Sequence, residues 1–187
     1  MTWITSEMRG ALFGGEPERR QISKSSPLEM IQPHRYTLWR RFEENAPLSR
    51  MPAFIGLNPS TATPEKLDPT VSKCEYWAQQ WGFDGFVMLN LFSYRATEPQ
   101  DMLSHADPTG DPDNAAAISW VCNQAGLVVA CWGNDGSHLQ RSAKIRAALE
   151  DLDVWCLHIN KTGEPKHPLY HKKAVLLEDL VPLPPIR

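Results

Sequence analysis

Several polar side chains in this sequence stand where an apolar run stops, and each brings a different chemistry. The run Pro52-Ala53-Phe54-Ile55-Gly56-Leu57 ends abruptly at Asn58-Pro59-Ser60-Thr61. An Asn carboxamide accepts no proton at neutral pH, so Asn58 is suited to orienting a water by hydrogen bonds. Asn before Pro is equally an ordinary turn former. Asp68, ten residues later, offers a carboxylate as base or counter-charge, or as the cap of a helix opening at Pro69. Asn90 closes Phe86-Val87-Met88-Leu89 with a group that donates and accepts, unless it is a buried amide satisfied by its neighbours. Arg95 can hold a phosphate or form a salt bridge. Ser137, after Trp132-Gly133, can meet a phosphate at a helix N-terminus or simply cap that helix. His167-Pro168 places an imidazole at the start of the last polar turn.

The elements that position these residues follow from hydrophobic spacing. Tyr36 to Phe42 alternates as a strand does, and the run 52–57 is a buried strand ended by Asn-Pro. Val71, Cys74, Trp77, Ala78 and Trp81 fall on one face of a helix that Gly82 stops. A buried strand ends near Asn90, Asp113 caps a helix running to about Gln124, and the next strand breaks at Gly133. A helix is predicted from Ser137 to about Asp151 with Leu139, Ile145 and Leu149 inward, and Asp153 to Ile159 is the last clear strand. Apolar strands alternating with amphipathic helices predict an α/β fold, a three-layer α/β/α sandwich with a mostly parallel central sheet. Ligands in such sheets bind beyond the carboxyl ends of the strands, where all these polar turns lie.

The chain has 187 residues, 42% hydrophobic content and seven Trp, enough for one well-filled core. Residues 1–33 read as an irregular arm and 34–187 as a single domain. No apolar stretch is long enough to span a membrane, and Glu7, Arg9 and Glu16 stand where a signal peptide needs an apolar run. A cytoplasmic monomer without membrane contact is expected. Cys74, Cys122, Cys131 and Cys156 are widely spaced among apolar neighbours and read as buried free thiols, with no metal site and no cofactor. The net charge of −3 argues against coating nucleic acid through charge alone, but its distribution is uneven. Arg35, Arg40 and Arg41 lie near the start of the domain, and His158, Lys161, Lys166, His167, His171, Lys172 and Lys173 near its end. If the two segments meet in space they form an anion-binding face; otherwise they are solvated loops.

In order, Gly56-Leu57-Asn58-Pro59-Ser60, a strand ending in Asn90, Trp132-Gly133 and His167-Pro168 resemble the motifs of the uracil-DNA glycosylase superfamily, closest to its mismatch-specific branch. With "LNPSTA", "DPT", "NLFSYRAT" and "HPLY", the chain from about Tyr36 to Val175 looks like the DUF1643 family, whose members share that architecture and include enzymes implicated in defence against phages with modified DNA. The resemblance implies a metal-independent cut of an N-glycosidic bond in DNA, single- or double-stranded. His167 would donate to a base carbonyl oxygen, Asn58 would orient the water with Asp68 as base or counter-charge, and Asn90 would read a pyrimidine edge. Ser60 stands where the classical enzymes carry a Tyr that crowds the pyrimidine C5 atom, which implies tolerance of bulk there. Tyr76, Phe92 or Tyr94 could refill that space. Leu169 or Tyr170 would fill the base stack after flipping, with Lys166, Lys172, Lys173, Arg95 and Ser137 on the backbone. "HPLY" departs from the family in lacking the Ser-Pro that follows His-Pro in the uracil enzymes.

The expected function is a monofunctional DNA glycosylase that removes a modified pyrimidine, such as hydroxymethylated or glucosylated cytosine of phage type, and leaves an abasic site. No lysine lies inside the motif turns to form a Schiff base, so strand cleavage is not expected. The alternatives are a silent reader of modified DNA, a uracil or mismatch repair glycosylase, and an N-glycosidic hydrolase of free nucleosides, nucleotides or RNA.

Overall fold

The computed structural model describes residues 34–63 and 66–184, so the arm read over residues 1–33 lies outside it. Six strands form one sheet in the order β1-β3-β2-β4-β5-β6, with β1 Leu38–Arg41, β2 Pro52–Gly56, β3 Gly85–Asn90, β4 Leu127–Ala130, β5 Val154–Cys156 and β6 Val181–Pro182. Among the described residues four helices accompany them: α1 Pro69–Gln80, α2 Pro99–Leu103, α3 Asp113–Cys122 and α4 Arg141–Ala148.

The sheet is mixed rather than mostly parallel. Strands β3, β2, β4 and β5 run parallel, while β1 and β6 are antiparallel edges. A parallel neighbour requires a crossover of a dozen or more residues over one face. Residues 42–51 between β1 and β2 hold only a short 3-10 turn, Leu48–Arg50, so the chain simply reverses. After β5 the chain builds its polar loops at the carboxyl end and re-enters the sheet as β6 from that same end.

Alternating residues of the parallel strands feed two apolar clusters. Ala53, Ile55, Val87, Leu89, Val128 and Ala130 pack with Ile118, Val121 and Ile145 of α3 and α4. Phe54, Phe86, Met88 and Val129 pack with Val71, Cys74, Trp77 and Ala78 of α1, the face expected from their spacing. Fully burying one such side chain contributes about 1.5–3 kcal/mol. The chain passes from β2 through α1 to β3 on one side and from β4 through α4 to β5 on the other. The sheet therefore has its switch point between the carboxyl ends of β2 and β4, where open α/β sheets bind ligands. No helix among the described residues is long and apolar enough to cross a membrane.

Three local expectations change. The helix expected from Ser137 begins at Arg141; residues 134–140 form 3-10 turns broken by the left-handed Leu139 (φ 51°) and Gln140 (φ 56°). Leu139, expected inward, is 51% exposed, because the left-handed step carries it off the helical face. Helix α3 starts at Asp113 itself, and the side chain of Asp111 takes the capping role by accepting from Ala115 N–H at 3.2 Å. The four cysteines are buried free thiols, with burial pushing Cys122 up to about 12.

Candidate functional site

The carboxyl ends of β3, β2 and β4 lie side by side, and hydrogen bonds carry their pairing into the loops. Leu91 N–H donates to Gly56 O at 2.9 Å, Phe92 N–H to Leu57 O at 2.9 Å, and Cys131 N–H to Ile55 O at 2.8 Å. This continuation holds Asn58, Asn90 and Trp132-Gly133 around the switch point.

Asn90 pairs in register with Gly56. A Cβ on Gly56 would lie 2.9 Å from Asn90 Oδ1 and 2.5 Å from Met88 Cε, so glycine keeps the space the Asn90 carboxamide occupies. Asn90 is only 3% exposed, yet its carboxamide has no hydrogen-bond partner among the described residues. Its backbone carbonyl is occupied, accepting from Asn114 Nδ2 at 3.1 Å. The strand end thus presents a carboxamide without a protein partner, open to water or to a ligand.

Asn58 uses its Nδ2 to bind the carbonyls of Pro59 (3.0 Å) and Ala96 (2.8 Å). Ala96 N–H returns a bond to Pro59 O at 2.9 Å, which locks the 58–62 loop to the segment carrying Arg95. Asn58 Oδ1 is left as the acceptor that can address a ligand or water. Ser60 is half-buried on the same loop.

Asp68 caps α1, its Oδ1 accepting from Val71 N–H at 2.8 Å behind Pro69. The same carboxylate acts electrostatically on both His167 and Arg35, which places all three around one region.

His167 opens a 3-10 turn, Pro168–Tyr170, above Gly133. Gly133 adopts φ 81° and donates its N–H to Pro165 O at 2.9 Å; a Cβ there would stand 3.3 Å from His167 Cβ. Glycine is required by both the left-handed backbone and the close approach. Burial lowers the pKa of His167 below its usual 6.5, Asp68 and Asp135 pull it back, and Lys73 lowers it further. The shift favours the neutral ring at pH 7. Its Nδ1 faces Leu169 N–H at 3.4 Å, which leaves the proton on Nε2 and makes Nε2–H a donor.

Lys73, which no sequence signal singled out, fixes this turn. Its Nζ donates to the carbonyls of Pro168 (3.1 Å), Leu169 (3.1 Å) and His171 (2.7 Å). Trp77 and Trp81 of the same helical face donate their indole N–H to Lys173 O (2.7 Å) and Val175 O (2.9 Å). Helix α1 thereby anchors the whole segment that carries His167. Glu164 is a second unforeseen residue: buried, it accepts from Trp132 Nε1 at 2.6 Å and Ser142 Oγ at 2.7 Å, tying the Trp-Gly turn to α4.

The remaining expected residues are spread more widely. Tyr76 lies on α1 with Lys173 Nζ 4.4 Å from its ring centre, so these two contact each other rather than the strand ends. Phe92 is fully buried, its ring 5.7 Å from that of His138. Ser137 is exposed and donates to Asn134 O at 3.1 Å within its own 3-10 turn, ahead of α4. Leu169 and Tyr170 are 46% and 74% exposed, with the Tyr170 ring 6.2 Å from that of His167. Lys172 is exposed, Lys166 half-buried, and neither forms an ion pair among the described residues; Arg95 is exposed and likewise unpaired.

The arrangement offers an amide edge, a neutral imidazole donor, an acceptor fixed by a rigid turn, and a carboxylate nearby. No curated protein and no solved structure gives a significant match to the chain. The model of one family, described as "Protein of unknown function (DUF1643)", matches residues 35–169, most of the chain, and the protein belongs to that family.

Proposed function

We propose that this protein is a monofunctional DNA glycosylase that hydrolyses the N-glycosidic bond of a modified pyrimidine, on a uracil-DNA-glycosylase-like fold whose layers are α/β/α. The observation that supports this reading most is the Asn90 carboxamide at the strand end, which makes no hydrogen bond to another described residue and so keeps its two N–H donors and its oxygen for a flipped base. Breaking the bond leaves negative charge on the departing base and positive charge on the sugar. His167 Nε2–H would meet the base oxygen, Asn58 Oδ1 would hold the water, and the Asp68 carboxylate would face the sugar cation. The exposed Leu169–Tyr170 pair would occupy the gap left in the stack. Ser60 leaves room beside pyrimidine C5, so a 5-substituted base is the favoured substrate.

Purified protein incubated with DNA carrying uracil, thymine mismatches, 5-hydroxymethylcytosine or its glucosylated form tests this, with abasic sites and released bases measured. Release of a 5-substituted base supports the proposal. Release of none by protein that is folded and binds DNA overturns it in favour of a reader, a reading favoured by the engagement of Asn58 Nδ2 with two carbonyls. In an active enzyme Ser60→Tyr should lose activity on 5-substituted bases selectively; equal loss on every base would refute the volume argument.

A further inference from the structure

Two arginines belong to the segments that meet the 58–62 loop, and neither forms an ion pair among the described residues. Arg35 N–H donates to Ser93 O at 2.8 Å beside the His34–Tyr94 bridge, so Arg35 lies against the segment that carries Arg95. Its guanidinium holds Ala62 O, while Arg95 precedes Ala96, the residue clamped by Asn58 and Pro59. The loop that presents Asn58 is therefore held by the Arg35 guanidinium at Ala62 and by the backbone of Ala96, the residue next to Arg95, at Asn58 and Pro59.

The arrangement is unfavourable as it stands. Arg35 Nε is buried with no hydrogen-bond partner. Burial, and then the like charge of Arg95, lowers Arg35 to about 10, and Asp68 opposes this only from beyond ion-pair distance. Arg35 remains charged at neutral pH, and Arg95 has no ion-pair partner among the described residues. A buried charge is normally paired. An anion with several acceptor oxygens would relieve both guanidiniums at once, and phosphate matches their planar, multiple-donor geometry.

We propose that Arg35 and Arg95 form a clamp for one phosphate group, the phosphodiester adjoining the nucleotide held by Asn58, Asn90 and His167. The anion site stands on the two arginines; its assignment to that nucleotide rests on the glycosylase reading.

The test compares wild type with Arg95→Gln, an exposed position, and Arg35→Lys, which keeps a charge and a donor for Ala62 O. Each is titrated with a fluorescent single-stranded oligonucleotide containing one 5-hydroxymethylcytosine, with the same strand bearing an uncharged methylphosphonate beside that base, and with inorganic phosphate and a deoxynucleoside 5′-monophosphate. Arg95→Gln should weaken binding of the charged strand by roughly tenfold or more, the scale of lost hydrogen bonds to a charged group. The log–log salt slope should flatten by about 0.7, one phosphate's share on a single strand. Thermal stability should not change, and the methylphosphonate strand should bind wild type and variant alike. Wild-type affinity and salt slope in both variants would overturn the clamp. Loss confined to inorganic phosphate and the mononucleotide would overturn its assignment to a strand. Base release is followed in parallel: weakened binding with no release from any strand keeps the clamp and sinks the glycosylase, whereas release unaffected by either variant at subsaturating DNA does the reverse.

Discussion

Two sets of polar residues meet at the same end of the sheet, and they differ in how completely their hydrogen-bonding capacity is used. Behind β3 and β4, Arg141 donates to Leu91 O at 2.7 Å and forms a two-pronged ion pair with Asp111, and Glu164 joins Trp132 to Ser142. Asn114 adds bonds to the carbonyls of Asn90 and Leu91, leaving only its Oδ1 unpartnered. In front, Asn90, Asn58 Oδ1, His167 Nε2 and the Arg35–Arg95 pair retain unused capacity. The first set holds the strand ends in place, and the second is held by them. Residue type alone does not separate them, since each contains Asn and Arg; only an account of partners does.

If that division is right, substitutions should fall into two classes. The largest effect is expected behind the strands. Arg141→Ala leaves the buried Leu91 O without its partner and removes the ion pair of Asp111, which is 37% exposed and keeps Ala115 N–H, and should cost about 1.5–3 kcal/mol of folding stability, read by denaturant unfolding. A loss below about 1 kcal/mol would show the network to be incidental. Next, His167→Ala should retain the wild-type melting temperature but lower base release by about 10²-fold, the scale for removing one transition-state donor. Unfolding instead would move His167 into the scaffold.

A third test uses pH. His171 is held down at about 4, first by burial and then by Lys166, His158 and Lys73, against about 6.5 when unfolded. Because its folded pKa is the lower, the folded form binds fewer protons, and its contribution is present above pH 6.5 and lost as pH falls toward 4. Melting temperature should drop across that window, and His171→Gln should flatten the drop. An unchanged profile would remove His171 from the cause. The smallest effect should come from Asn90→Leu, which breaks no side-chain hydrogen bond and should alter stability by less than about 1 kcal/mol. If it abolishes binding of the modified strand as well, the front set is functional; wild-type binding would break the comparison.

Much of the scaffold was legible in the chain. The buried strands 52–56, 85–90 and 127–130 and the inward face of α1 follow from apolar runs and helical spacing, which are local properties. The directions of β1 and β6 were not legible, because strand direction depends on what the connections cross. The start of α4 was misplaced because the spacing of Leu139, Ile145 and Leu149 satisfies a helix while the backbone at Leu139 and Gln140 does not. In the site, Asn58, Asp68, Asn90 and His167 could be named from where polarity interrupts apolar runs. Lys73, Glu164 and the approach of Arg35 to the segment that carries Arg95 could not, since their partners lie 95–98, 22–32 and 58 positions away along the chain.

By itself, then, the sequence determined the parallel core and the polar turns at its carboxyl end, because burial and turn chemistry act between near neighbours. Tertiary structure alone decided which of those polar groups have a protein partner and which do not, because hydrogen-bond and charge partners are set by proximity in space.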